Sequence, residues 1–173
     1  IAIRRFREAT SRDLYEALTA ELKIPNTRLI LDLRGNPGGL LDKGIEVADH
    51  FLDKGAIVSV VSRGGRDVEV AHAHALRPFA KVPLVVLVDQ NTASASEIVA
   101  AALQDAGRAK VIGVPTYGKG SVQSFLDLKD GSGLKLTTSR YLTPKGTTLE
   151  GVGIQPDIVV EAFEAMVVAP TGA

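Results

Sequence analysis

Compact apolar runs alternate with amphipathic segments through the first two thirds of the chain. Four runs have the length and apolar character of buried strands: residues 28–33, 56–61, 82–88 and 110–113. Three segments carry apolar residues three and four positions apart, which predicts helices: residues 10–22, 40–52 and 95–106. Because strands and helices alternate, the pattern predicts parallel βα units.

The remainder of the chain is richer in strand patterns. Residues 67–71 alternate as an edge or hairpin strand does, and residues 122–128 and 134–141 flank a polar, glycine-containing turn. A last short apolar run covers residues 158–160, and a short helix with a frayed end is predicted for residues 161–173. The predicted class is therefore α/β, with a mixed sheet of βα units and added antiparallel strands.

Composition narrows the functions that this fold can carry. The chain has 173 residues, the size of one domain, and is 45% apolar and 23% charged. Its 20 basic and 20 acidic residues cancel, which removes the electrostatic case for binding nucleic acid or an anionic membrane. The absence of cysteine excludes disulfides, thiolate metal sites and a cysteine nucleophile. No apolar run is long enough to span a bilayer, and the first residues do not resemble a signal peptide.

Three loops rich in small residues follow three of the predicted strands, at residues 34–39, 89–94 and 115–120. Because strand-end loops of α/β folds meet at one edge of the sheet, we expect these three to converge on a site. The first loop contains Gly38 and Gly39, whose N–H groups are suited to hold an oxyanion. A tight strand-to-helix turn would need the same glycines, so both interpretations stay open.

Ser94 lies where a buried strand passes into a helix. It forms a capping-box pattern with Glu97, three residues later, and this pattern alone favours a helix cap over a nucleophile. The same position would place a nucleophilic hydroxyl beside the free N–H groups of the helix start, which stabilise developing negative charge. Both roles stay open for Ser94, and Ser96, inside the first turn, is a weaker candidate.

A nucleophilic serine needs a base. The three histidines, His50, His72 and His74, lie outside the strand-end loops, and the last two are interpreted as polar surface residues of an edge strand. Lys119 is flanked by two glycines, which let the chain press a lysine into a crowded site where loss of water favours its neutral form. A solvated hairpin lysine is the alternative. The segment is not a phosphate loop, because the required glycine and lysine spacing is missing.

Four segments, taken together and in this order, resemble one protease family. They are LDLRGNPGGLL at residues 31–41, TASASEI at 92–98, PTYGKGSVQ at 115–123, and LTPKG with GVGIQPD within 142–157. The combination is similar to the carboxyl-terminal processing proteases, tail-specific Ser-Lys endopeptidases whose catalytic core resembles the ClpP/crotonase fold. The likeness covers nearly the whole chain.

The resemblance implies a role for individual residues. Ser94 matches the nucleophile of the family, and Lys119, 25 positions later, matches its general base. Gln123 matches the glutamine that orients the lysine amine. No cofactor and no metal ion are implied.

An oxyanion hole is also implied, formed by the N–H of Ala95 together with an amide of Gly38 or Gly39. In the implied reaction, neutral lysine takes the serine proton, the serine attacks a peptide carbonyl, and water hydrolyses the acyl-enzyme. The implied substrate is the exposed, apolar C-terminus of a protein or peptide, lying as an added strand against the sheet.

The resemblance further implies how the protein is organised. Residues 1–160 would be the protease catalytic domain and residues 161–173 a C-terminal tail, with no PDZ domain in this chain. Family members carry a PDZ domain and an export signal, so we expect the full-length protein to have a PDZ domain. We also expect it to act in the periplasm, the cell envelope or an organelle lumen. Without the PDZ domain, we expect the catalytic side chains to be misaligned; the residues indicate no oligomeric state.

Two other functions fit the same residues. A crotonase-like acyl-CoA enzyme would share the fold, but no basic patch for nucleotide phosphates stands out. A non-catalytic peptide-binding or scaffold domain would use Ser94 only as a helix cap. A hydrogen bond between Lys119 Nζ and Ser94 Oγ in an assembled site would favour the protease.

Overall fold

A computed structural model describes residues 1–23, 26–66 and 68–161. In these ranges the helices are α1 (Thr10–Glu21), α2 (Leu41–Asp49) and α3 (Ala95–Asp105). The strands are β1 (Leu29–Asp32), β2 (Ala56–Ser62), β3 (Val68–His72), β4 (Leu84–Val88), β5 (Lys110–Gly113), β6 (Ser121–Asp127), β7 (Gly133–Leu142) and β8 (Ile158–Val159). No helix among them has the length and apolar character needed to cross a membrane.

The helices and strands predicted within these ranges are all present, with ends that differ by a few residues at most. Helix α2 differs most, because it ends at Asp49 and the chain continues in turns. The helix predicted in the tail falls almost entirely on residues 162–173, outside the described residues.

Four strands form a parallel sheet in the order β1-β4-β5-β8. Strand β1 pairs with β4, β4 with β5, and β5 with β8, in each case in parallel. The carboxyl ends of these strands therefore lie at one edge of the sheet. The three small-residue loops predicted to converge follow β1, β4 and β5, so all three leave from that edge.

The other four strands form an antiparallel sheet in the order β3-β2-β7-β6. Strands β2 and β3 make one hairpin, strands β6 and β7 make another, and β2 joins them by pairing with β7. The predicted α/β class, with parallel and antiparallel strands, is confirmed. The two kinds of pairing occupy separate sheets, since β2 pairs with β3 and β7 rather than with β1 or β4.

Helix α3 lies in the core. Its residues from Ala95 to Leu103 are all buried, and the helix packs against α2, β2 and β5. Its run of alanines lets these neighbours approach closely. Gly44 brings α2 against the start of α3, because a Cβ added at Gly44 would lie 3.2 Å from the Cβ of Ala95. This packing fixes the N-terminus of α3 at the edge where the loops meet.

Gly113 is the last residue of β5 and pairs with Val88 at the end of β4. This close packing leads to a prediction on stability. The φ of Gly113 is +140°, and an added Cβ would overlap the carbonyl oxygen of its strand partner Val88. We expect Gly113→Ala to lower the free energy of unfolding by about 3 kcal/mol or more in urea denaturation. Gly107→Ala is the control, because Gly107 has φ +64° with nothing within 4 Å, so its cost should be about 1 kcal/mol. Equal losses in the two variants would contradict the packing argument.

Candidate active site

Ser94 occupies a strained turn between β4 and α3. Its φ of 59° and ψ of −121° are unusual for a residue with a side chain and cost about 1–3 kcal/mol. Ser94 is also the cap residue of α3, as its sequence pattern predicts, and its side chain is only partly buried. A sharp strand-to-helix turn also presents the nucleophilic serine of α/β-hydrolases.

The glycine-containing loop after β1 is hydrogen-bonded to the Ser94 turn. Thr92 Oγ1 donates to Leu33 O at 2.9 Å, and the N–H of Ala93 donates to Asn36 O at 2.9 Å. Ser96 is fully buried, and its hydroxyl donates to Asn36 O at 3.0 Å. Ser96 therefore has a structural partner, and Ser94 is the serine of this turn that remains accessible.

The buried side chain of Asn36 decides which glycine N–H is available. Its Oδ1 accepts the N–H of Gly38 at 2.9 Å, and its Nδ2 donates to Ile3 O at 2.8 Å. The N–H groups of Gly39 and Ala95 make no hydrogen bond among the described residues. Gly39 is exposed whereas Gly38 is buried, so Gly39 has the accessible free amide of the pair.

Gly38 presses directly against the serine. A Cβ added at Gly38 would lie 2.8 Å from the Cβ of Ser94 and 3.1 Å from the N of Ala95. The φ of Gly38 is +98° and that of Gly39 is +145°. The second glycine is as constrained as the first, because an added Cβ there would overlap the backbone of Phe6.

An ion-pair cluster ties the N-terminal segment to the end of β1. Asp32 accepts hydrogen bonds from Arg34 Nε at 2.8 Å and from Arg4 at 3.4 Å. The hydrogen bond from Arg34 holds the pKa of Asp32 below its usual value. Beside this cluster, Asp89 Oδ1 accepts the N–H of Gly35 at 2.9 Å, which joins the two loops a second time.

Glu97 connects the serine turn to the loop after β5. Its carboxylate is fully buried. Oε2 accepts the N–H of Ser94 at 2.8 Å and the N–H of Lys119 at 2.9 Å. Oε1 accepts the hydroxyl of Thr116 at 2.6 Å and the N–H of Gly118 at 2.7 Å. The main chains at Ser94 and Lys119 therefore meet on one carboxylate oxygen.

A second set of contacts holds the loop after β5 from its other side. Thr116 Oγ1 accepts the N–H of Ile154 at 2.7 Å, and the N–H of Tyr117 donates to Thr92 O at 3.0 Å. Gly153 lies so close to Thr116 that an added Cβ would overlap it. The segment at 151–157, singled out in the sequence as part of the family pattern, thus helps to shape the loop that carries Lys119.

The side chains of the proposed catalytic residues do not meet as their main chains do. Lys119 is exposed, and in the described part of the chain its amine makes no hydrogen bond or ion pair. Gln123 Nε2 donates to Thr137 Oγ1 at 2.6 Å and lies 3.4 Å from Ser121 Oγ. The structure brings Ser94 and Lys119 together through Glu97, without a hydrogen bond between the lysine amine and either Ser94 or Gln123.

The histidines lie elsewhere and have partners of their own. His50 Nε2 is 3.0 Å from Ser11 Oγ, but Ser11 is buried and offers no access to a substrate. His74 lies 3.0 Å from buried Asp49, which also accepts a hydrogen bond from Arg77. His74 is exposed, in agreement with its interpretation as a polar surface residue, and its acidic partner Asp49 comes from α2, which is distant in sequence.

Sequence reasoning missed two residues of this site. Glu97 was interpreted only as the partner of a helix cap, and Asn36 was not singled out. One signal for Glu97 was available: a carboxylate in the first turn of an otherwise apolar helix must be buried with partners. Asn36 offered no comparable signal, because asparagine is common in turns.

Comparison with known proteins identifies a family for this chain. The family model described as "Peptidase family S41" matches residues 1–160. The chain is 49% identical over 161 residues to the carboxy-terminal-processing protease of Bartonella bacilliformis, covering 91% of this chain and 37% of that protein. It is 44% identical over 160 residues to the carboxyl-terminal-processing protease of a Picosynechococcus species, covering 92% and 38%. The chain thus spans little more than a third of the length of these relatives.

A solved structure agrees with these sequence matches. The photosystem II D1 C-terminal processing protease superimposes with a TM-score of 0.88 at 37% identity. The superposition covers 92% of this chain and 41% of that protein.

The burial of Glu97 generates a second stability prediction. In Glu97→Gln an amide NH₂ would face two donors in place of an acceptor oxygen, which leaves buried N–H or O–H groups unsatisfied. We expect the free energy of unfolding in urea to fall by about 3 kcal/mol. Glu150→Gln is the matched control: exposed Glu150 accepts the N–H of Gly120 from the same loop and should cost less than about 0.5 kcal/mol. A Glu97→Gln variant as stable as its control would show that the four hydrogen bonds contribute little.

Partly buried His50 generates a prediction on pH. Burial lowers the pKa of His50 below its usual value, with nearby Arg77 acting in the same direction. The unfolded chain therefore takes up a proton first as the pH falls through about 6.5, so stability present above this pH is lost below it. Urea midpoints measured between about pH 7.5 and 5.5 should fall on acidification, and His50→Gln should flatten this dependence. An unchanged slope in the variant would assign the effect to other groups.

Proposed function

This chain belongs to peptidase family S41, and on that premise we propose that it is the catalytic domain of a serine endopeptidase. Its substrate would be a protein with an exposed, apolar carboxyl terminus, cleaved near that end. The observation that carries the proposal is the junction at Glu97, where the main chains of Ser94 and Lys119 bind one buried oxygen. The names of the relatives support the same chemistry, since they are carboxyl-terminal processing proteases.

The proposed reaction is acyl transfer through Ser94. Neutral Lys119 takes the proton of the serine hydroxyl, and Ser94 Oγ bonds to the carbonyl carbon of the scissile peptide. Lysine then gives this proton to the leaving amine as the C–N bond breaks. Water, deprotonated by the same lysine, hydrolyses the ester and restores the serine.

The N–H groups of Ala95 and Gly39 would stabilise the oxyanion of each tetrahedral intermediate. The first is the free N–H at the start of α3, where the helix dipole also favours negative charge. The second is the accessible amide that Asn36 leaves unpaired. Two preorganised donors on the negatively charged oxygen are the usual requirement of this chemistry.

Activation in this proposal is a movement of side chains. The Lys119 amine must turn from solvent towards Ser94 Oγ, and Gln123 must exchange Thr137 for the amine in order to orient it. We propose that a PDZ domain of the full-length protein recruits the substrate and favours this arrangement. Residues 1–160 would form the catalytic domain and 161–173 a C-terminal tail. The periplasm, the cell envelope or an organelle lumen would be the compartment.

Cleavage of a fluorogenic peptide with an apolar carboxyl terminus tests the proposal. Ser94→Ala should lower kcat/KM at least about 10³-fold, and Lys119→Ala about 10²–10⁴-fold. Lys119→Arg should be as inactive as Lys119→Ala, because arginine keeps the charge but does not lose its proton. Ser132→Ala, in the β6–β7 turn, is the control and should retain full activity.

The assay is run on this chain alone and on the chain joined to a PDZ domain of a family relative. We expect the joined protein to be faster, because the free chain holds the lysine amine away from Ser94. A peptide-binding domain without catalysis would bind the peptide in both forms and show no cleavage that depends on Ser94. That result would overturn the proposed function.

A further inference from the structure

A groove of about 780 Å³ opens on the antiparallel sheet. Its lining includes Arg63 from the β2–β3 turn and Arg140 from β7, together with Ser121, Thr138 and Glu150. The apolar part of the lining comes from Val61 and Leu142. We call this feature the basic groove; nothing in the reaction described above uses it.

Both arginines line this groove. Arg140 pairs across the sheet with Val61 on one side and Ser121 on the other, so the three side chains lie in one row on one face. Arg63 follows β2, and its N–H bonds to Thr138 O at 2.8 Å. In the described part of the chain, neither guanidinium makes a hydrogen bond or an ion pair. A planar guanidinium matches a carboxylate with two parallel hydrogen bonds.

The groove begins beside the loop that carries Lys119. Ser121 on its rim is two residues beyond Lys119, a span of at most about 7 Å in an extended chain. Gly120, between Lys119 and Ser121, is hydrogen-bonded on both sides. Its carbonyl accepts the N–H of Tyr141 at 2.7 Å, and its N–H donates to Glu150 Oε2 at 2.8 Å. A peptide held at Ser94 therefore needs few residues to reach Arg140.

We propose that the basic groove binds the free α-carboxylate of a peptide substrate, with Arg140 and Arg63 as the donors. The residues between the cleaved bond and this carboxylate would lie over Val61 and Leu142, which suits apolar side chains. Anchoring the chain end beside Ser94 places the cleaved bond a short distance from the carboxyl terminus. This inference rests on the proposed function for its substrate class.

Glu150 provides a test of whether the group bound in the groove is negatively charged. Its carboxylate lies in the same groove and opposes a bound anion, so the lining carries two positive charges and one negative charge. Removing either arginine should weaken the binding of a carboxylate. Removing the charge of Glu150 should strengthen it.

Peptide binding to the chain carrying Ser94→Ala is measured by fluorescence anisotropy, so that cleavage does not interfere. Two labelled apolar peptides of the same sequence are compared, one with a free C-terminal acid and one with a C-terminal amide. We expect the acid to bind about tenfold more tightly, and Arg140→Gln or Arg63→Gln to reduce this preference severalfold. Glu150→Gln should increase it, and Arg28→Gln, an exposed arginine before β1, should leave it unchanged.

The proposal is overturned if acid and amide bind equally, if neither binds at about millimolar concentration, or if the preference survives both arginine substitutions. Circular dichroism checks that each variant is folded, since surface substitutions of this kind change stability little.

Cleavage assays separate this proposal from the proposed function. Equal Ser94-dependent cleavage of acid and amide peptides would overturn the groove and leave the protease in place. Arginine-dependent binding without any Ser94-dependent cleavage would overturn the protease alone.

Discussion

A single buried carboxylate determines how this site is built. Glu97 accepts four hydrogen bonds, from Ser94, Thr116, Gly118 and Lys119, and has no exposure to solvent. A carboxylate in such a place is tolerable only when its oxygens are fully paired, because an unpaired buried charge is very costly. Two loops from different βα units must therefore keep their N–H groups aimed at the same point. The main chain of the site is rigid for this reason.

The remaining constraints concern the close approach of backbone to backbone. Ser94 has a positive φ, and Gly38 fits against it because a Cβ at Gly38 would overlap the side chain of Ser94. Asn36 then fixes the direction of the Gly38 N–H and leaves that of Gly39 free. Strain of this kind persists only where the surroundings determine the conformation. The packing of α3 in the core supplies those surroundings.

A main chain fixed by hydrogen bonds and an exposed side chain are combined in one place. The carboxylate holds the backbone of Lys119 beside Ser94, while the lysine amine stays exposed and Gln123 stays on Thr137. In the proposed dyad the amine would turn towards Ser94 Oγ while this main chain stays in place. A substrate whose carboxylate is held in the basic groove would lie along the same loop, so binding and alignment would be linked through Gly120 and its neighbours.

Local patterns in the sequence determined the helices and strands, since apolar periodicity and turn residues act over a few positions. They also placed Ser94 at a strand-to-helix turn and brought Lys119 into consideration, and the order of the segments was specific enough to indicate the family. The pattern did not distinguish one mixed sheet from two separate sheets, because strand pairing depends on residues far apart in sequence. The second role of Glu97 and the availability of Gly39 rather than Gly38 depend on hydrogen bonds between separate loops. The positions of the Lys119 amine and of the arginines also depend on how distant segments pack, and only the tertiary structure decides such contacts.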